Sequence, residues 1–290
     1  MPTRAAREDL MRRVVAACAR DPRIVGVVDY GSTGEARADE WSDVDLALFI
    51  RDASLAEFTR DWKEWAAQFG RLLLAYVGGI GHPWTVYDAE PVPLRADFAF
   101  HRESAADVML AWPNAPVSAA AMVKYDATGN QALTTNAARL VGQSLAPPDD
   151  ARAFEQLAGD FWYYCLRTHA KFKRRQLWAA RFDFNFIVVG NMLALLRLEA
   201  GATERLRGSS AAVGIEGALA PERLRALDAL VPGQTCVSLV QSFRAAIRLG
   251  RDVCAQLSAA RGWPWPAELA TRVAALYADP TLCGPAVNVL

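Results

Sequence analysis

With 290 residues, 52% of them hydrophobic and 22% charged, the chain can bury two ordinary globular cores, and its composition excludes wholesale disorder. Lys and Arg number 32 and Asp and Glu 32, so a formal net charge of zero argues against long-range capture of nucleic acid or of an anionic membrane. No window reaches the ~18 unbroken apolar residues of a membrane span, and the N-terminus lacks an apolar signal core, so a cytoplasmic protein is expected.

Taken in chain order, Arg4 to Asp21 repeats apolar residues at helical spacing through Leu10, Val14, Val15 and Cys18. Arg23 to Tyr30 reads as a buried strand and Asp43 to Ile50 as a second. Ser54 to Phe69 is a helix with Trp62 and Trp65 among its apolar positions. Arg71 to Val77, Trp84 to Tyr87 and Pro93 to Phe100 are further strands, with Gly78, Gly79, Gly81 and Pro83 as turn material. Met122 to Asp126 is one more, before a helix starting near Gly129. Ala146-Pro147-Pro148-Asp149-Asp150 breaks the pattern, and beyond it the chain reads as helices over 151–176, 178–200, 221–231, 235–260 and 266–278, with 201–220 loop-like. The fold class is therefore α+β: a mixed-sheet domain over 1–147 and an all-helical domain over 148–290. Cys18, Cys165, Cys236, Cys254 and Cys283 lie far apart without metal-ligand spacing, so reduced, buried thiols are expected and no disulfide framework.

Chemistry concentrates between Asp29 and Asp45, where Asp29, Glu35, Asp39, Glu40, Asp43 and Asp45 face a single base, Arg37. Residues two apart on a strand share a face, so Asp43 and Asp45 project side by side at the end of an apolar strand. Such repulsion persists for a reason, and a divalent cation supplies one; hard carboxylate oxygens suit Mg2+. Upstream, Gly31 permits a sharp turn with close backbone approach, and Ser32 is expected to start a short helix whose free N–H groups and hydroxyl suit a phosphate. A two-metal site wants a third acid from a neighbouring strand. Asp97 fits: Leu94, Ala96, Phe98 and Phe100 face a core while Arg95, Asp97 and Ala99 face the other way. Its alternative is an ion pair with Arg95; Asp88, at a turn, is the rival third acid.

From Phe161 to Phe182 there are six bases and no acid, with Arg167, Lys171 and Arg174 on one helix face. Lys173, Arg174 and Arg181 are the candidate nucleotide contacts; a solvated face is the alternative. Trp178 and Phe182 are expected to pack rather than to stack on a base. His82, His101 and His169 form no ligand spacing, although His101 follows the Asp97 strand. Trp263-Pro264-Trp265-Pro266 is a rigid corner expected to cap the last helix.

The run Tyr30-Gly31-Ser32-Thr33-Gly34 through Trp41-Ser42-Asp43-Val44-Asp45-Leu46 resembles the signature of the DNA polymerase β-type nucleotidyltransferase superfamily: Gly-Ser, a short helix, Asp-x-Asp and a third acid on a later strand. Within it, the layout resembles antibiotic nucleotidyltransferases. The nearest resemblance is to the two-domain lincosamide nucleotidyltransferases, through Tyr30-Gly31-Ser32, Arg95-Ala96-Asp97-Phe98 and Met122-Val123-Lys124-Tyr125-Asp126-Ala127-Thr128-Gly129. Streptomycin-type aminoglycoside adenylyltransferases are the near alternative. The resemblance implies a nucleoside triphosphate donor (ATP), two Mg2+ ions, transfer of AMP to a hydroxyl of a small-molecule antibiotic, release of pyrophosphate, and a homodimer. By position, Ser32 contacts the triphosphate, Asp43 and Asp45 the metals, and Asp97 lies on the acceptor side as metal ligand, general base or both. Relatives differ at the third acid and sometimes at the second, so Asp at all three keeps the metal site and leaves the acceptor open. Rival readings are the same chemistry on protein or RNA, as in toxin–antitoxin systems, and a catalytically silent nucleotide-binding module.

Overall fold

The computed structural model describes residues 2–79, 81–112, 114–143, 150–206 and 208–283. They fall into two compact units, Met1–Leu145 and Ala146–Leu290, each taken by itself below. The proline break at 146–149, with the boundary placed there, lies outside the described residues.

The first unit runs α1 (Pro2–Cys18), β1 (Ile24–Asp29), β2 (Val44–Ile50), α2 (Leu55–Ala67), β3 (Leu72–Val77), β4 (Pro83–Tyr87), β5 (Leu94–Arg102), α3 (Ala119–Met122), β6 (Val123–Asp126) and α4 (Ala132–Leu140). Its six strands form one mixed sheet in the order β3-β4-β5-β2-β1-β6, with β2 and β5 parallel and every other pair antiparallel. β1 is buried throughout and β2 throughout except at Asp45. They read as continuous apolar runs because both sheet faces are covered. On one face, Leu10 and Val14 of α1 and Phe58, Trp62 and Trp65 of α2 meet Leu46, Leu48 and Phe98. On the other, Ala47, Phe49 and Ala99 lie under Met109, Leu133 and Ala137. The second cover corrects the sequence reading of β5 as half-buried: Ala99 is core, because the 3-10 helix Glu103–Ala111 and α4 close the face it shares with Asp97. The cover stops short of the strand end, where Asp45 and Asp97 keep partial exposure.

The second unit is helical: α5 (Asp150–Lys173), α6 (Leu177–Asp183), α7 (Val189–Ala200), α8 (Ile215–Ala218), α9 (Pro221–Asp228), α10 (Cys236–Arg261) and α11 (Ala267–Ala278). Its core centres on Phe161, Trp162, Met192, Phe243 and Tyr277, with the Phe243 and Tyr277 rings stacked at 4.8 Å and the Tyr277 hydroxyl donating to the Cys165 carbonyl at 2.9 Å. The single helix expected over 178–200 is interrupted by a π-helical turn, Phe184–Val188. The wider turn lets consecutive residues face inward, Asp183 onto Lys171 at 2.6 Å and Phe184 onto Phe243 at 4.5 Å. The stretch Leu177–Ala200 is long and apolar enough to cross a membrane by length and composition, yet Met192, Leu195 and Leu196 sit in this core. The glycine-rich 201–220 segment is more ordered than a loop. It carries 3-10 turns at Thr203–Arg205 and Gly208–Ala212 besides α8, and buried Arg197 donates through Nε to the Ala211 carbonyl at 2.7 Å.

Pro266 caps α11, while Trp263 and Trp265 pack on Phe154 and Trp162. One cysteine expectation fails: Cys236 and Cys283 form a disulfide, their Cα atoms 5.8 Å apart across a separation of 47 residues. The return of α11 brings the chain end back to the start of α10, which spacing alone could not show. Cys18, Cys165 and Cys254 are free and buried as expected, and burial pushes their thiols up, to about 12 at Cys254.

Candidate active site

β1 ends at Asp29, and the Tyr30 N–H still donates to the Asp45 carbonyl at 3.1 Å before the chain turns away. The buried Asp29 carboxylate accepts the Gly31 N–H at 3.0 Å and so sets the start of that turn. Gly31 then crosses directly over Asp45. A Cβ at this position would lie 2.3 Å from Asp45 Oδ2 and 2.8 Å from Asp45 Cβ. The demand for glycine is thus one of close approach, not of backbone sign. Gly31→Ala is accordingly expected to displace the Asp45 carboxylate, destabilise the fold by about 1–3 kcal/mol and weaken Mn2+ binding; thermal melting and a Mn2+ titration measure both.

The short helix expected from Ser32 does not form. Ala36 N–H closes on Thr33 O at 3.1 Å and Arg37 N–H on Ser32 O at 2.9 Å, and Ala36, at φ +54°, ends the turn before a helix can propagate. The Gly31 N–H is taken by Asp29, while the N–H and hydroxyl groups of Ser32 and Thr33 donate to nothing among the described residues. The turn is also held from outside. Glu35 accepts the Ala115 N–H at 3.0 Å, Asn114 Nδ2 donates to the Tyr30 carbonyl at 2.8 Å, and the Val117 N–H donates to the Gly34 carbonyl at 3.1 Å.

Parallel pairing of β2 with β5 sets Asp45 beside Asp97 in register. Together with Asp43, one residue before β2, they place three carboxylate oxygens within 4.8 Å of one another. Burial, then the charges of Asp43, Asp97 and Asp29, push the Asp45 carboxyl up to about 7. Burial and Asp43 push Asp97 up as well, against the pull of Arg95. Arg95 was the alternative partner of Asp97 in sequence, but its guanidinium lies 2.6 Å from Asp43 Oδ2. The reason is register: two residues before the Asp45–Asp97 pair, the neighbours are Asp43 and Arg95. The rival acid Asp88 pairs with Arg71 at 2.7 Å at a hairpin end and takes no part. Three crowded, partly buried carboxylate oxygen donors fit a hard divalent cation such as Mg2+.

Next to the carboxylates stands an aromatic wall that sequence reasoning largely missed. Trp112 lies 5.9 Å from Tyr30 and 5.6 Å from His101, ring to ring, and His82 meets Tyr30 edge-on at 6.5 Å. His101 also packs on Phe49 at 5.4 Å, and burial lowers its proton affinity. Only the position of His101 after the Asp97 strand hinted at this; Trp112 sits in a connection without periodicity.

In the helical unit, the basic candidates are mostly engaged locally. Lys171 pairs with buried Asp183, Lys173 with Asp279 at 2.9 Å, and Arg181 donates to the Gly233 and Gln234 carbonyls at 2.9 Å each. Arg167 lies over the Tyr164 ring at 5.2 Å, while Arg174 is exposed and without an ion pair among the described residues. Trp178 and Phe182, expected to pack, are instead 84% and 58% exposed, because α6 turns Ala180 and Asp183 inward.

Residues 4–83 match the family model of streptomycin adenylyltransferase. The match covers α1 through the start of β4, including Gly31, Ser32, Asp43 and Asp45, and stops short of Asp97. It falls on the streptomycin-type alternative and not on the lincosamide branch, which had been the nearer resemblance. No curated protein matches. Among solved structures, the chain is similar to an aminoglycoside 6-adenyltransferase from Bacillus subtilis at 13% identity, covering 93% of this chain and 98% of that one with a TM-score of 0.43. A nucleotidyltransferase-like protein from Exiguobacterium sibiricum aligns at 13% identity over 92% and 87% of the two chains, with a TM-score of 0.33.

Proposed function

We propose that the protein is a metal-dependent adenylyltransferase that moves AMP from ATP to a hydroxyl of an aminoglycoside-type antibiotic and releases pyrophosphate. The observation that carries this reading is the convergence of Asp43, Asp45 and Asp97 within 4.8 Å, beneath the turn that opens with Gly31 and Ser32. The similarity of residues 4–83 to the streptomycin adenylyltransferase family supports this choice of chemistry and acceptor class. Mg2+ held by these oxygens would neutralise charge on the triphosphate and on the departing pyrophosphate. The chain's own residues do the rest. Ser32 and Thr33 offer N–H and hydroxyl donors to the phosphates, and Asp43 and Asp45 hold the cation. Asp97, with its raised proton affinity, accepts the proton of the attacking acceptor hydroxyl.

The test mixes purified protein, ATP and Mg2+ with streptomycin, other aminoglycosides and a lincosamide in turn, following pyrophosphate release and the mass of the acceptor. An adenylylated aminoglycoside supports the reading. A modified lincosamide moves the acceptor class. Labelled protein or RNA, or no turnover with any acceptor, rejects it.

A further inference from the structure

The Arg95 guanidinium reaches one of the three acids proposed as metal ligands: it sits 2.6 Å from Asp43 Oδ2. Asp43 cannot give its single negative charge fully to a cation and to Arg95 at once. The pair lies near the surface, with the Arg95 side chain 63% exposed and that of Asp43 23%, so the contact is weak enough to exchange. Arg95 also has room to leave, because a cavity of about 60 Å3 opens beside it, lined by Glu40, Trp41, Ser42, Asp43 and Leu94. Its backbone is meanwhile fixed: β5 pairs with β4 through Arg95 itself and with β2 from Ala96 onward, and the side chain emerges on the same face as Asp97. A released guanidinium therefore stays beside the carboxylate cluster.

We propose that Arg95 is a triphosphate-binding residue stored on Asp43 until metal arrives. This rests on the metal and ATP assignment above. A cation bound to the Asp43 carboxylate draws off its charge and weakens its hold on the guanidinium, and the anion brought to the same spot is the metal-bound triphosphate. A planar guanidinium suits phosphate oxygens and makes charge-assisted, two-pronged hydrogen bonds to them. Arg95 thus offsets the crowded carboxylates of the metal-free site and afterwards holds the nucleotide.

Calorimetric titration of the whole chain with Mn2+ alone, and with Mg2+-ATP in the absence of acceptor, tests this without turnover. In Arg95→Met, Mn2+ is expected to bind roughly two- to fivefold tighter, because a competitor for Asp43 is gone. Mg2+-ATP is expected to bind roughly ten- to a hundredfold more weakly, with Arg95→Lys between the two. Unchanged or weaker Mn2+ binding in Arg95→Met overturns the storage role. Unchanged ATP affinity overturns the phosphate role. If the unaltered protein binds neither Mn2+ nor Mg2+-ATP, the parent assignment fails, a result distinct from either of these.

Discussion

Replacement of Asp97 by Asn is expected to lower kcat about 10²–10⁴-fold, the usual worth of a general base, while ATP binding persists. Asp97 lies in register with Asp45 but on a different strand, and burial and the nearby Asp43 charge raise its proton affinity. Asn keeps the shape and one oxygen, yet cannot accept the hydroxyl proton. Asp45→Asn is expected to behave differently. Asp45 lies under Gly31 and is hemmed in by three other acids, so losing its charge should remove metal and triphosphate binding together. Pyrophosphate release gives the rates, and calorimetric titration with Mg2+-ATP gives the binding. Near-normal turnover by either variant would count decisively against the catalytic scheme.

Metal affinity is expected to fall about tenfold for each pH unit below 7, because a carboxyl must lose its proton before it can bind a cation. The responsible group is Asp45, pushed up to about 7 by burial first and then by Asp43, Asp97 and Asp29. The same shift has a definite sign for stability. The metal-free folded chain holds a proton on Asp45 that the unfolded chain has already released near 3.8, the ordinary value of an aspartate, so stability declines as pH rises from about 4 to about 7. Asp97, shifted the same way, adds to the decline. Bound metal removes the repulsion, so the Mg2+-induced rise in Tm should be largest above pH 7 and vanish near pH 5. A Tm increment that is flat across this range, or larger at acid pH, would falsify the assignment of Asp45 as a ligand.

Much of the fold was legible because its signals are local. The strands at Ile24–Asp29 and Val44–Ile50 announce themselves as short β-branched and apolar runs, and α1, α2 and the long C-terminal helices by helical spacing. The errors share another origin. The short helix at Ser32 failed because Ala36, at φ +54°, ends the turn after one round of hydrogen bonds. The expected packing of Trp178 and Phe182 failed because α6 turns Ala180 and Asp183 toward the core instead. Trp112 went unnoticed because a connecting segment has no periodicity to show where its side chain ends up.

For the candidate site, sequence alone determined the pieces. Glycine before serine permits a tight crossing, acids two apart share a strand face, and an isolated acid on a later apolar strand offers a third carboxylate. These follow from backbone geometry that any chain obeys over a few residues. Tertiary structure decided the pairing. The parallel register of β2 with β5 puts Asp97 beside Asp45 and hands Arg95 to Asp43, and the return of the C-terminal chain joins Cys236 to Cys283. Local rules set which face a side chain takes; which strand or helix lies opposite it depends on burial summed over the whole unit, and that sum is complete only in the folded chain.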